Sequence, residues 1–155
     1  MDTDIKIKIR NATTGDDIEF IAKRFEETIS LWEDYEVTEE SVAKRIEIVE
    51  KWLTENNVHV TVAVTEDDEI IGFNSLWVFD GYSGEKLGKI CILYVLPEHR
   101  GQGIAGQLKI EGEKWMRSMG AIAIITEIDA KNMRMLEIAQ KVGFEIKSFV
   151  LQKKL

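Results

Sequence analysis

The sequence holds one cysteine and one proline among 155 residues, and none of its apolar runs is long enough to span a bilayer. A single thiol, Cys91, excludes an internal disulfide and a cysteine-ligated metal cluster, and makes a reducing, cytoplasmic setting the expectation. On a strand such a cysteine reads as a small buried hydrophobe. His59 opens a strand and His99 sits in an exposed loop, both without the ligand spacing of a metal site. With Pro97 the lone proline, no stretch reads as collagen-like or disordered. A signal peptide's apolar core is also missing from the start, where Ile5, Ile7 and Ile9 alternate with Lys6, Lys8 and Arg10 as in a strand. Basic charge is in deficit. The net charge of −8 argues against a nucleic-acid partner, and nothing points to a membrane.

What is present fits one domain over residues 1–155, with 45% hydrophobic residues to build a single core. Charge is unevenly spread, −11 over residues 1–70 and +3 over residues 71–155. A basic half suits a phosphate-bearing cofactor and an acidic half a cationic amine, although most single charges are solvated helix faces.

After the first strand, Thr14 or Asp16 caps a helix with the apolar stripe Ile18, Ile21, Ala22, Phe25 and Ile29. The aromatic, acidic turn Leu31–Glu36 packs Trp32 on the core or, alternatively, faces a substrate, and a second helix starts near Thr38. Val58, Val60, Val62 and Val64 alternate as a half-buried strand, joined through Glu66–Glu69 to Ile70–Phe79 in an antiparallel hairpin. A strand over Lys89–Leu96, a helix over Ile104–Met119 ended by Gly120, and a strand over Ala121–Ile128 follow. A short helix over Met133–Val142 stops at Gly143, and a last strand falls within Phe144–Lys154. Trp52, Trp77 and Trp115 read as core residues. The order β-α-α-β-β-β-α-β-α-β defines an α/β domain with a mixed, mostly antiparallel sheet flanked by helices.

The chemistry lies in Leu93–Gly106. A strand ends, Pro97 stops pairing, and a glycine-rich turn opens a helix near Ile104. Such a turn aims unpaired backbone N–H groups at one point, at the positive end of the helix dipole. Glycines 101 and 103 let the backbone approach a ligand closely, and Arg100 adds charge. A diphosphate site is expected. Gly101, Gly103 and Gly106 satisfy the dinucleotide fingerprint, with Glu127 about where a ribose-binding acid would be. That match stands alone, after a hairpin and two helices, with too little chain left for a dinucleotide fold. A Walker loop needs Gly-Lys-Ser/Thr, which is absent. Coenzyme A remains.

Here the chain resembles the GCN5-related N-acetyltransferase (GNAT) family, through Val95, Pro97, Arg100, Gly103 and Ala105, and later through Asn132, Gly143 and Phe144. The resemblance is close over Leu93–Phe144 and rests on element order alone over Met1–Phe79. It implies an acetyl-CoA-dependent enzyme acetylating a primary amine, small molecule or peptide, by direct attack without an acyl-enzyme. Gly101, Gln102, Gly103, Ile104, Ala105 and Gly106 would hold the pyrophosphate through backbone N–H groups. Leu93, Tyr94 and Val95 would pair with the pantetheine arm, in a splay between their strand and Ala121–Ile128. Asn132 would contact the pantetheine or thioester, and the Leu93 N–H would serve a developing oxyanion.

Glu127 is the expected general base, matching in its spacing before Asn132 the ribosomal-protein alanine N-acetyltransferases of the family, and a working base there should be partly desolvated. Asp129 and Glu33 are candidate contacts to the ammonium. Many members carry a tyrosine acid where this chain has Ala139, which leaves Tyr94 or water to protonate the thiolate. A silent coenzyme A binding module and a transferase of a longer acyl group stay open as alternatives, as does a homodimer.

Overall fold

The computed structural model describes residues 5–155. Strand β1 (Ile7–Asn11) leads into helix α1 (Gly15–Trp32) through a reciprocal cap. Thr14 Oγ1 accepts from the Asp17 N–H, and Asp17 accepts from the N–H groups of Thr13 and Thr14. Arg10 adds a bidentate grip on the Asp17 carboxylate, at 2.7 and 3.0 Å, and so ties β1 to α1. Helix α2 (Glu39–Trp52) begins at Thr38, which exchanges bonds with Ser41 in the same manner.

Four strands then build most of one sheet. β2 (Val58–Thr65) pairs antiparallel with β1 and with β3 (Ile70–Asp80), and β3 pairs antiparallel with β4 (Lys86–Val95). Helix α3 (Ile104–Ser118) carries the chain back to β5 (Ala123–Thr126), which lies parallel to β4 and completes the order β1-β2-β3-β4-β5. Helix α4 (Met133–Lys141) follows.

Two layers cover the sheet. Ile21, Ala22 and Val49 of α1 and α2 pack on Val60, Val62, Phe73 and Ile92. Ile104, Leu108 and Met116 of α3 pack on Ala63, Val95, Leu76 and Val78. The middle of β2 is therefore buried on both faces, Thr61 and Ala63 included, where alternation suggested a half-buried strand.

The faces of β4 switch at one point. Ser75 stands opposite Ile92 but Leu76 stands opposite Ile90, so Cys91 is an extra, unpaired residue, a β-bulge. Below it Ile90 joins the α3 layer; above it Ile92 joins the α1–α2 layer. Cys91 is consequently exposed and not the small core residue that its strand position suggested.

Four further expectations are corrected. β5 is four residues long, shorter than Ala121–Ile128, because its ladder with β4 stops at Ile90–Thr126, where the two strands part. Trp77 is partly exposed, lying over Phe79 on the sheet surface. Pro97–His99 form a single 3₁₀ turn that alternation cannot signal, with His99 half-buried within it. The strand expected within Phe144–Lys154 is absent from the sheet. The chain leaves Gly143 and runs on to Leu155 without a turn, a bend or a ladder.

Candidate active site

The pairing of β4 with its neighbours decides what its upper half can bind. Its rungs with β5 run only from Leu87–Ala123 to Ile90–Thr126, so Leu93 and Val95 have no strand on that side. On the β3 side the Leu96 N–H donates to the Ile71 carbonyl at 2.8 Å. The alternation of an antiparallel ladder then makes Phe73–Tyr94 a bonded pair, and leaves Asn74–Leu93 and Gly72–Val95 with their polar groups turned outward. Arg100 Nε confirms the direction, donating to the outward Val95 carbonyl at 2.9 Å. Apart from the Val95 carbonyl that Arg100 takes, the outward groups of Leu93 and Val95 are a length of open strand to which a peptide-like chain could pair.

That edge leads directly to the glycine turn. Gly101 and Gly103 have φ of 79° and 80°, in the left-handed region that side chains disfavour, and Gly103 is the N-cap of α3. The cap makes no side-chain bond, and the first turn of α3 carries no acidic residue. Among the described residues, none of the N–H groups from Gly101 to Gly106 finds an acceptor, and the first bond of the helix is Gln107 N–H to the Gly103 carbonyl. A Cβ at Gly101, Gly103 or Gly106 would meet nothing within 4 Å among the described residues, so the turn is open to a ligand. A row of unpaired donors at a positive helix end suits an anion, and here it continues an open strand. Coenzyme A, a diphosphate joined to an amide-bearing arm, matches both parts.

The other expected residues gather around the opening of β4 from β5, with different duties. Glu127 follows the last residue of β5, and its Oε1 accepts from Lys89 Nζ at 2.6 Å. Its side chain is 67% exposed, so the desolvation expected of a base is not found. Cys91 lies beside this pair. Desolvation pushes its thiol up, with Lys89 opposing and Glu127 adding, the reverse of an activated nucleophile. Tyr94 turns inward, its ring 5.9 Å from that of Phe73 and beneath the Arg100 guanidinium at 5.6 Å. Asn132 caps α4, its Oδ1 accepting from the Met135 N–H at 3.2 Å, a structural task the motif did not reveal. Asp129 shapes the turn before it by accepting from the Lys131 N–H. Glu33 is the exposed C-cap of α1, on a different element from this opening.

Sequence reasoning missed Lys89 at this opening and Glu26 away from it. Lys89 looked like an ordinary strand charge, because the pairing that sets it beside Glu127 spans 38 residues. Glu26 is buried in α1 with Tyr35 Oη at 2.8 Å and Arg45 at 3.3 Å. Together they fix the aromatic turn to both helices, through contacts that no local pattern announces.

The site's frame is a parallel strand pair that parts beside a bulge, with a turn of unpaired N–H groups at its end. The chain belongs to the acetyltransferase (GNAT) family, whose pattern matches residues 24–144. An acetyltransferase of Photorhabdus laumondii is 28% identical over 121 residues, which cover 78% of this chain and 80% of the relative. A mycothiol acetyltransferase of Arthrobacter sp. (strain FB24) is 29% identical over 84 residues, covering 54% of this chain. The match takes in only 26% of that relative, so the chain spans about a quarter of its length. Among solved structures, a GNAT family acetyltransferase of Staphylococcus aureus is 30% identical, covers 78% of this chain and superposes with a TM-score of 0.66, with 98% of its own length matched. An acetyl transferase of Pyrococcus furiosus shares the fold with a TM-score of 0.81 at 21% identity, covering 97% of this chain and 100% of its own. An aminoglycoside N-acetyltransferase solved in complex with CoA also shares it, with a TM-score of 0.72 at 19% identity and coverage of 97% and 95%.

Proposed function

We propose that the chain is an acetyl-CoA-dependent N-acetyltransferase that acts on a primary amine by direct attack. The observation that carries the reading is the continuous open surface from the outward edge of Leu93 and Val95 to the unpaired donors of Gly101–Gly106. Acetyl-CoA brings an activated thioester to this surface. The N–H groups of Gly101 to Gly106 take the diphosphate, Leu93, Tyr94 and Val95 align the pantetheine arm, and the free amide nitrogen of Asn132 reaches toward it.

The chain's own residues then handle charge and protons. The amine nitrogen bonds to the acetyl carbon as the carbon–sulfur bond breaks, and the Leu93 N–H donates to the oxygen on which charge develops. Glu127 takes the proton that the ammonium must lose, its carboxylate oriented by Lys89. Tyr94 or a water returns a proton to the thiolate. The acidic half of the chain favours a cationic acceptor. The aminoglycoside enzymes that share the fold motivate a polyamine-like acceptor as the first class to try.

The test is thiol release from acetyl-CoA against a panel of primary amines that includes aminoglycosides. Saturable turnover with one amine class supports the reading. A second reading, a silent coenzyme A binding module, is favoured by Ala139. It is 6% exposed on α4 at the position where many family members carry the tyrosine acid. Tight coenzyme A binding with no turnover of any amine would select it.

A further inference from the structure

The sheet face that α1 and α2 cover is bare over its lower half. Leu76 and Val78 pack toward α3, so strand alternation turns Trp77 and Phe79 to the opposite face, the side of α1 and α2. Those helices pack higher on that face, on Val60, Val62, Phe73 and Ile92, and neither ring joins their core. Register sets the neighbours. Phe79 stands opposite Leu87 and Trp77 opposite Lys89, while Leu87 and Lys89 stand level with Ala123 and Ile125 of β5. Partners in register share a face, so these side chains form one strip across three strands. Trp77 is 38% and Ile125 37% exposed, and the rings of Trp77 and Phe79 lie 4.9 Å apart. Bulky apolar residues kept on an uncovered face beside ionic groups suit a ligand surface better than a solvated sheet.

We infer that this strip seats the body of the acceptor, and that the acceptor is a primary monoamine carrying an aromatic group. The inference rests on the N-acetyltransferase reading above and names the substrate class for it. Continuity supplies the occupant. Lys89 belongs to the strip, and its Nζ holds Glu127 Oε1 at the opening of β4 from β5. Glu127 Oε2 accepts no hydrogen bond among the described residues, so one carboxylate oxygen is left for an ammonium. A molecule lying on the rings therefore brings its amine to the group that takes the proton. From Trp77, level with Ile125, to Glu127 is two strands across and two residues along, about 12 Å at the usual sheet spacings. A phenyl ring, a short alkyl chain and an amine fill that span. A polycation fits worse. Asp80, at the lower end of the strip, is already paired with Lys86 at 3.0 Å, and Lys89 repels a second ammonium. The strip thus points to a different amine from the aminoglycosides taken by relatives of this fold.

Steady-state thiol release at saturating acetyl-CoA tests this with phenylbutylamine, butylamine and spermidine on the parent, Trp77→Ala and Trp77→Phe. On the parent, KM for phenylbutylamine should lie about tenfold below that for butylamine, the scale of one aromatic contact. Trp77→Ala should remove that difference and Trp77→Phe should keep most of it, with KM for acetyl-CoA the same in all three. Phe79→Ser, which breaks the same ring pair, takes the place of Trp77→Ala if that variant does not fold. Turnover with a KM that neither the phenyl group nor the ring substitutions change overturns the strip and leaves the transferase standing. A lower KM for spermidine than for phenylbutylamine does the same. Absence of turnover with every amine overturns both.

Discussion

Lys89 Nζ lies 2.6 Å from Glu127 Oε1, an ion pair that bridges β4 and the end of β5 where the two strands part. It spans the opening into which the thioester would enter, and it sets one carboxylate at that opening in a fixed direction. Its worth to the fold is small, because exposed pairs contribute under about 1 kcal/mol.

Glu127→Gln should therefore leave stability and coenzyme A affinity close to the parent while lowering turnover about a hundredfold, the scale of a removed general base. The deficit should narrow at high pH, where more of the free amine is already neutral. Lys89→Met should also fold normally and lose less activity, since the carboxylate stays but is no longer held. A pH series of thiol release on all three proteins measures this. Full activity in Glu127→Gln would shift the proton to Tyr94, Asp129 or water.

Gly103→Asp puts a carboxylate at a left-handed N-cap whose surrounding donors are unpaired. Acetyl-CoA affinity should fall by several kcal/mol, the order of an uncompensated charge in a shielded site. Gly103→Ala separates the two effects, since it keeps the strain and omits the charge. Calorimetric titration of both variants decides the matter, and an Asp variant that binds as tightly as the parent would move the diphosphate elsewhere.

Acid stability should depend on Asp17. Burial pushes its carboxyl up, but the Arg10 bonds, the N–H groups of Thr13 and Thr14 and the guanidinium charge outweigh that and hold it at about 2. A depressed folded value means the contribution is complete above the unfolded range near pH 4 and disappears as pH falls toward 2. A shift of that size corresponds to about 2 kcal/mol. Urea midpoints between pH 6 and pH 2 should fall more steeply for the parent than for Asp17→Asn. Parallel slopes would show that other carboxylates govern the acid limb.

Asn132→Ala removes the cap of α4 and should cost about 1 kcal/mol, read as a lower melting temperature. If the amide also reaches the pantetheine arm, Asn132→Asp should restore the cap but not the KM for acetyl-CoA. Rescue of both by aspartate would leave Asn132 a structural residue alone.

The helices, the five strands of the sheet and the glycine turn were legible because each is written locally. Period-two and 3.6-residue patterns, Thr14 and Thr38 as caps, and glycines at the ends of α3 and α4 all act within a few residues. Leu93–Gly106 was legible for the same reason, as one contiguous stretch. What escaped the sequence is non-local. The Lys89–Glu127 pair, the burial of both faces of β2 and the exposure of Cys91 depend on which strand lies alongside, and alternation does not carry that information. Segment 144–155 shows the converse case, a local strand signal that no strand among the described residues pairs with.

The bulge at Cys91 also acts as a phase shifter between two halves of one strand. Leu87–Ile90 is keyed to β5, and Ile92–Val95 is keyed to the surface that leads into the glycine turn. β4 has one residue more than β3 has rungs here, and the bulge absorbs that residue so that both halves stay in step with β3. Chemistry at position 91 is thus free: serine or alanine should be tolerated. Deleting the residue should keep both halves in register with β3 and remove only the local bend and twist that a bulge adds where β4 leaves β5.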